Sequence, residues 1–343
     1  MMRMVFQTIL FGAIGIIILY FLWQIQGDAY QEHCQLNGIP DEQCKLSSKL
    51  YGDFRNADWR WLIVIAAIFM LSNLVRALRW QMLIRPMGYN LSLSNSFFAV
   101  MISYFANLGL PRVGEFVRAV IVRKYEKIPV EKAFGTIIMD RFVDFLCLLI
   151  LLVLGFVFHY QNIWAYLTSN LKIPVPVLIA LPILGVMGLG VAFLVYKRIE
   201  RIDDEQLVGW RKRLKSFIMG LVEGIVAVRK VPNMPLFVFY SLGIWFLYLL
   251  MHYFAFFAYE PTSHLTFVDS ILVFDFGSLG IVFPSPGGMG SYHALIVEAL
   301  KIVGVDSLSG FSFSMITFFT ITIFCNVLFG LISLLLLPVT NKT

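Results

Sequence analysis

The stretch ANLGLPRVGEFVR, residues 106–118, decides how this chain is read. It closes an apolar run from Phe97 to Leu110, breaks at Pro111, and then places Arg112, Glu115 and Arg118 just past the break. The arm before the break is a mostly apolar stretch of about 17 residues, close to the roughly 20 needed to cross a bilayer. The arm after it, interrupted by Arg118, is too short. Arg76, Arg79 and Arg85 lie before this segment, and Arg123, Lys124, Lys127 and Lys132 follow it. Basic residues mark the cytoplasmic side, so segment 92–122 starts and ends there. The reading is a re-entrant helical hairpin with its tip at Leu110–Glu115. Irregular backbone at membrane depth persists only where protein or water satisfies its polar groups, so the tip is expected to line a cavity.

Composition sets the membrane frame. Of 343 residues, 59% are hydrophobic and 14% charged, and the mean hydropathy is +0.79. Soluble domains are nearer half apolar and a quarter charged. The first apolar run, Met4 to Gln26, is too long for a signal-peptide core and reads as a retained span. The net charge of +6 reflects basic cytoplasmic loops, and no nucleic-acid motif accompanies it. Cys147 and Cys325 sit in apolar runs and read as packing residues. Cys34 and Cys44 lie in the polar segment 27–58, where a disulfide suits an oxidising compartment; two free cysteines are the alternative.

The expected fold is an all-α polytopic membrane protein with six full spans at 4–26, 59–84, 133–158, 174–197, 235–258 and 311–337. Segment 27–58 carries three basic and six acidic residues, and 197–234 carries nine basic and five acidic. The first is therefore outside and the second inside, with both termini cytoplasmic. A second broken segment, 266–303, is interrupted at Pro284, Pro286, Gly287, Gly288 and Gly290. It would enter and leave from outside, with its tip at Phe283–Ser291. Span, span, hairpin, span then occurs twice with opposite orientation, in halves 1–158 and 174–343. Such an inverted-topology repeat is typical of secondary transporters; eight ordinary spans without pseudo-symmetry is the alternative. Connector 198–234 has apolar residues near a 3.6-residue period and reads as an amphipathic helix on anionic lipid, or as a plain linker.

Arg112, Glu115 and Arg118 follow one another at i,i+3 and would share a helix face. An ionisable group in hydrocarbon costs about 2.5–3.5 kcal/mol on the most lenient scale, so that face must meet a polar cavity. Two guanidinium forks suit a phosphate; the plainer reading has Glu115 bracing both arginines. Arg141 and Asp144 are placed to pair, with Asp140 beside them, either as a helix-end ion pair or to orient Arg112 or Arg118. Arg76 and Arg79 are expected to snorkel to the interface, with contact to a lipid phosphate as the alternative. The glycines of the second tip would let backbone amides approach an anion at a helix N-terminus, or simply make a tight turn. His293 reads as a headgroup contact, a proton carrier or a hydrogen-bonded structural residue. Asp275, deep in an apolar run, is an intramembrane acid, and Glu115 is the third candidate proton carrier. His252 reads as structural.

Three motifs, NLGLPRVGEFVR, GTIIMDRFVDF and PSPGGMGSYHAL, in that order, resemble the lysylphosphatidylglycerol synthase transmembrane family, which includes the flippase half of bacterial multiple peptide resistance factors. The resemblance runs from the second span to the last. It implies headgroup-site roles for Asn107, Arg112, Glu115, Arg118, Arg141, Asp144, Gly287, Gly288 and Gly290, with Pro111, Gly114 and Pro286 shaping the tips; Pro284 joins them as a helix breaker by its own residue type. Relatives often carry a glutamate after the last glycine, where this chain reads Ser291-Tyr292-His293. The chain ends at Thr343 without room for an aminoacyl-transferase domain, so it is not expected to make aminoacyl lipids. The function implied is a flippase of the bacterial cytoplasmic membrane, moving an anionic or aminoacylated phospholipid or a polyprenyl phosphate lipid. The alternatives are an embedded enzyme acting on lipid phosphate and an accessory subunit that presents lipid. No nucleophile, cofactor or metal motif is found. The expected partners are membrane lipids as substrate, with a second copy of the chain or a separate lipid-modifying enzyme as further candidates.

Overall fold

A computed structural model describes residues 2–37, 39–40, 44–109, 112–170, 210–282 and 286–341. All regular structure among them is helical. Five of these helices are long and apolar enough to cross a membrane: Ala13–Leu36, Trp59–Met87, Val130–Phe158, Met234–Ala258 and Ser307–Thr340. The span expected at 174–197, residues 198–209 of the connector, Pro111 and Pro284 lie outside the described residues.

Helix α1 (Met2–Leu36) continues well beyond the expected span 4–26. Segment 27–58 is therefore largely helical, with α2 covering Leu46–Asn56. Leu46 and Leu50 bury in an apolar cluster with Val297 and Phe311, against which Leu19, Leu22 and Tyr30 of α1 pack. A disulfide joins Cys34 to Cys44, which settles the question the sequence left open.

Helix α3 (Trp59–Ile84) starts where Asp58 accepts a hydrogen bond from the Arg60 amide. Helices α4 (Leu93–Gly109) and α5 (Val113–Glu126) form a packed pair. Gly114 makes that contact feasible: its amide donates to Asn107 Oδ1 at 2.8 Å, and any side chain there would run into the Ser103 carbonyl. At the far end of the pair, Glu126 Oε1 accepts from Ser92 and Asn95, and Asn95 also bonds Asn341 near the C-terminus.

Helix α6 spans Val130–Phe158, followed by α7 (Tyr160–Asn170). Its outward side shows Phe142, Phe145, Leu149, Val153 and Phe156, while Asp140 and Asp144 are buried. Polar groups inside and apolar ones outside are what a lipid solvent demands. The connector does form a helix, α8 (Trp210–Val226). It does not rest on lipid alone, because Gly220 and Gly224 seat it against Glu131, Lys132 and Gly135 of α6.

Asn233 caps α9 (Met234–Ala258), which has Pro235 in its first turn. A second packed pair follows, α10 (Phe267–Val282) and α11 (Ser291–Ile302), with Gly277 and Gly280 against Tyr292. The last span is continuous through α12 (Ser307–Thr317), a π-helical stretch at Phe318–Cys325 and α13 (Asn326–Thr340).

Contacts at the helix ends locate the two pairs. The Asp58 amide bonds the Ala258 carbonyl, and the His159 ring lies 3.1 Å from the Val268 carbonyl. The start of α3 and the ends of α6 and α9 thus share one end of the molecule with the start of α10. The end of α3, the start of α4, the end of α5 and the end of α13 share the other. The α4–α5 pair opens towards one end, and the α10–α11 pair towards the opposite end. Their closed ends touch: Gly287 lies beside Leu108, Phe318 and Thr322.

Candidate functional site

Seven ionisable residues meet between α3, α5 and α6. On α3, Arg76 and Arg79 are one turn apart, and on α6, Asp140 and Arg141 each lie about one turn before Asp144. Arg79 donates twice to Asp140 Oδ1, at 3.0 and 2.6 Å, and to Asp144 Oδ1 at 2.7 Å. Arg76 donates to Asp144 Oδ2 at 2.7 Å and to Asp140 Oδ2 at 3.2 Å. From α5, Arg118 reaches Asp140 Oδ2 at 3.2 Å and lies 3.7 Å over the Trp80 ring. Arg141 bonds Glu115 at 3.0 Å and approaches Asp144 at 3.9 Å. The opposite wall comes from α9 and α4. Tyr248 accepts from Arg76 and lies 3.4 Å from the Tyr104 hydroxyl, while Trp245 donates to Asp144.

Arg76 and Arg79 are only 2% and 0% exposed. The expectation that they snorkel is therefore corrected. Withdrawing them would leave Asp140 with Arg118 as its one arginine and Asp144 with the more distant Arg141, and breaking such a buried pair costs about 3–5 kcal/mol. Four arginines face three carboxylates, leaving one unbalanced positive charge. Protein donors also outnumber protein acceptors: Arg76 Nε, Arg79 Nη1, Arg118 Nε and Nη2, and Arg141 Nε are buried with no hydrogen bond to another protein group, against Glu115 Oε2 on the acceptor side. Unmet guanidinium donors around a positive centre favour an anion with several oxygens, such as a phosphate. The Arg141 side chain is 40% exposed and is the accessible member of the set.

The expected shared face of Arg112, Glu115 and Arg118 does not form. Arg112 is the N-cap of α5, exposed, with φ at +66°. That left-handed backbone takes it out of phase with the helix. Glu115 braces Arg141 rather than the two arginines of its own segment, while Arg118 turns to Asp140. Asn107 is occupied with the Gly114 amide and holds the pair of helices together.

At the second break, Gly287, Gly288 and Gly290 all have positive φ, from +61° to +82°. Helix α11 starts at Ser291, just past these glycines. The Gly290 amide donates to His293 Nδ1, and Ser291 Oγ donates to the Gly280 carbonyl. His293 is thus a buried cap, packed 4.7 Å from the Phe318 ring. Pro286 opens a short turn ending at Gly288. His252 is buried against the Tyr248 carbonyl. Asp275 is buried on α10, away from the arginines.

The structure brings together Glu115, Arg118, Arg141 and Asp144 of the expected site residues. It adds Asp140 as the centre, with Arg76, Arg79, Tyr104, Tyr248, Trp245 and Trp80. The signal for the first three was present: two arginines at i,i+3 on one apolar span, two aspartates at i,i+4 on another.

The family model for the lysylphosphatidylglycerol synthase TM region matches residues 47–330. A UPF0104 membrane protein of Methanothermobacter thermautotrophicus is 24% identical over 278 residues, 74% of this chain and 78% of its own length. Another, from Pyrococcus horikoshii, is 22% identical over 279 residues, 76% and 82% of the two chains. Both relatives are archaeal. No solved structure matches. The match takes in all of α3 to α12, and with them every residue of the arginine–aspartate cluster, so this chain is a multi-pass membrane protein that belongs to the lysylphosphatidylglycerol synthase transmembrane-region family.

Proposed function

We propose that this protein is a lipid flippase. It moves an anionic or aminoacylated phospholipid, or a polyprenyl phosphate lipid, between the leaflets of a cytoplasmic membrane. The observation that carries the reading is the buried arginine cluster with one surplus positive charge and unmet N–H donors. A structural ion-pair network would be expected to balance its charges and satisfy its donors. This one keeps donors free for a phosphate while the acyl chains stay in lipid.

Supporting this, the cluster draws on α3, α5 and α6 from the first half and on α9 from the second. The two broken pairs open to opposite ends and touch at Leu108 and Gly287. That is the arrangement an inverted repeat with two re-entrant hairpins would have, and rocking of one half on the other would expose the cluster to alternate sides. With basic residues inside, the end holding Glu126 and Asn341 is cytoplasmic.

The test is reconstitution in liposomes with fluorescent phosphatidylglycerol, an aminoacylated form and a polyprenyl phosphate as probes. The expected result is leaflet exchange of at least one, with the lipid recovered chemically unchanged, and loss of exchange in Arg141→Ala. Chemical turnover without exchange would replace this reading with an enzyme acting on lipid phosphate.

A further inference from the structure

Asp275 is a second buried charge-bearing group, remote from the arginines. It is 3% exposed, and its Oδ1 has no hydrogen-bond partner. Its Oδ2 lies against Gly155 of α6, where even a methyl side chain would collide with it. Leu151, Trp245, Phe267, Ile271 and Phe274 form the apolar cluster beside it.

The ionisable groups on the helices packed around α10 have other partners. On α6, Asp144 holds Arg76 and Arg79, and the His159 ring meets the Val268 carbonyl. On α9, His252 meets the Tyr248 carbonyl and packs edge-on to Phe274. On α11, Tyr292 bonds Thr317, and His293 caps its own helix. On α10 itself, Asp269 accepts from Thr266. Among the described residues, no basic side chain forms an ion pair with Asp275. A carboxylate in such a place is costly, whereas a carboxylic acid is not.

The position links to the cluster. Asp144, Leu148, Leu151, Gly155 and His159 fall on one stripe of α6, with Gly155 about 16 Å along the axis from Asp144. Trp245 bridges the two, donating to Asp144 at 3.4 Å and packing 5.9 Å from the ring of Phe274, the neighbour of Asp275.

We propose that Asp275 is a proton-binding site that couples lipid movement to a proton gradient. The neutral acid lets α10 close on Gly155, and the anion forces that contact open to water. A proton enters from the end where α10 begins, binds a carboxyl oxygen, and is released when the contact opens on the other side. Each state of the α6–α10 contact biases the helix that carries Asp140, Arg141 and Asp144.

The inference rests on the transport reading, so two measurements are needed. In liposomes with fluorescent phosphatidylglycerol and the membrane potential clamped, acidifying the side where α10 begins should speed exchange several-fold in the wild type. The ratio with and without the gradient should fall to about one in Asp275→Asn and recover in Asp275→Glu. A wild type indifferent to the gradient, or Asp275→Asn with the full response, overturns the proposal. Infrared spectroscopy of the purified protein at neutral pH should show a protonated carboxyl band that Asp275→Asn removes. An unchanged spectrum overturns the proposal even if no lipid moves. The band present with no lipid exchanged would overturn coupling and sink the flippase reading, while leaving Asp275 as a proton site.

Discussion

Arg79 and Asp140 hold each other by two hydrogen bonds to a single carboxylate oxygen, and neither side chain has any exposed surface. They come from helices 61 residues apart in sequence, and the rest of the cluster is arranged around them. Asp140 takes Arg76 and Arg118 on its other oxygen, so the loss of this one carboxylate would strand Arg118 and leave Arg76 and Arg79 with Asp144 alone.

Arg79→Ala should therefore destabilise the protein by about 3–5 kcal/mol, because it leaves Asp140 and Asp144 short of a buried partner. Thermal unfolding in detergent would show a clear fall in Tm. A Tm equal to that of the wild type would mean that the pair is not formed in the native protein.

The Arg141 side chain is 40% exposed, so Arg141→Ala should still fold, with a modest loss of stability from its broken ion pair with Glu115. If it contacts a phosphate, the lost charge-assisted bond is worth about 1.5–3 kcal/mol, a roughly tenfold to hundredfold loss of lipid exchange. Arg141→Lys should recover only part of it, since an ammonium cannot reproduce the fork. Full activity in Arg141→Ala would remove this residue from the site.

Gly114 controls the closure of α4 on α5. Gly114→Ala drives a methyl group into the Ser103 carbonyl and should cost about 1–3 kcal/mol through backbone displacement. Crosslinking between cysteines placed at Ser92 and Glu126, which meet at the open end of the pair, should weaken in this variant. Gly109→Ala, with open space around it, is the control expected to be mild.

The Cys34–Cys44 bridge closes a short loop, and its removal by Cys34→Ser with Cys44→Ser should cost about 2–3 kcal/mol. Cys147 and Cys325 are buried and free. Thiol labelling of the folded protein should therefore be slight before reduction and rise by two groups after it. Prompt labelling of Cys34 without reductant would show the bridge to be absent.

Asp306 gives a pH signature outside the membrane spans. Burial raises its pKa, but hydrogen bonds from the Ser309 and Leu308 amides outweigh this and hold it below the ordinary value of 3.8. Its charge therefore adds stability above about pH 3.8, and that contribution is lost as pH falls through the lower folded value. Asp306→Asn keeps a capping oxygen without the charge. The Tm gap between wild type and Asp306→Asn should be constant near neutrality and vanish in acid. A gap that persists under strong acid would assign the effect to cap geometry instead.

Much of the helix plan is legible along the chain. Crossing a bilayer is a local demand on some twenty consecutive residues, so spans such as 59–84 and 235–258 can be read directly, as can the breaks after Gly109 and before Pro286. The overshoot of α1 to Leu36 is harder to foresee, because it depends on a disulfide and on Leu46 and Leu50 finding an apolar surface elsewhere.

The charged site divides in the same way. That Arg118, Arg141 and Asp144 must avoid lipid follows from their type and depth, since hydrocarbon excludes unpaired ions wherever they sit. Which partners they take does not follow. Arg76 and Arg79 could as well have snorkelled, and Glu115 could have held Arg112. Pairing depends on which faces of α3, α5 and α6 meet, and the left-handed cap at Arg112 changes one of those faces by a single backbone angle. Residue chemistry therefore predicts a buried polar site, while the packing of distant helices selects Asp140 as its centre and leaves its guanidinium donors unmet.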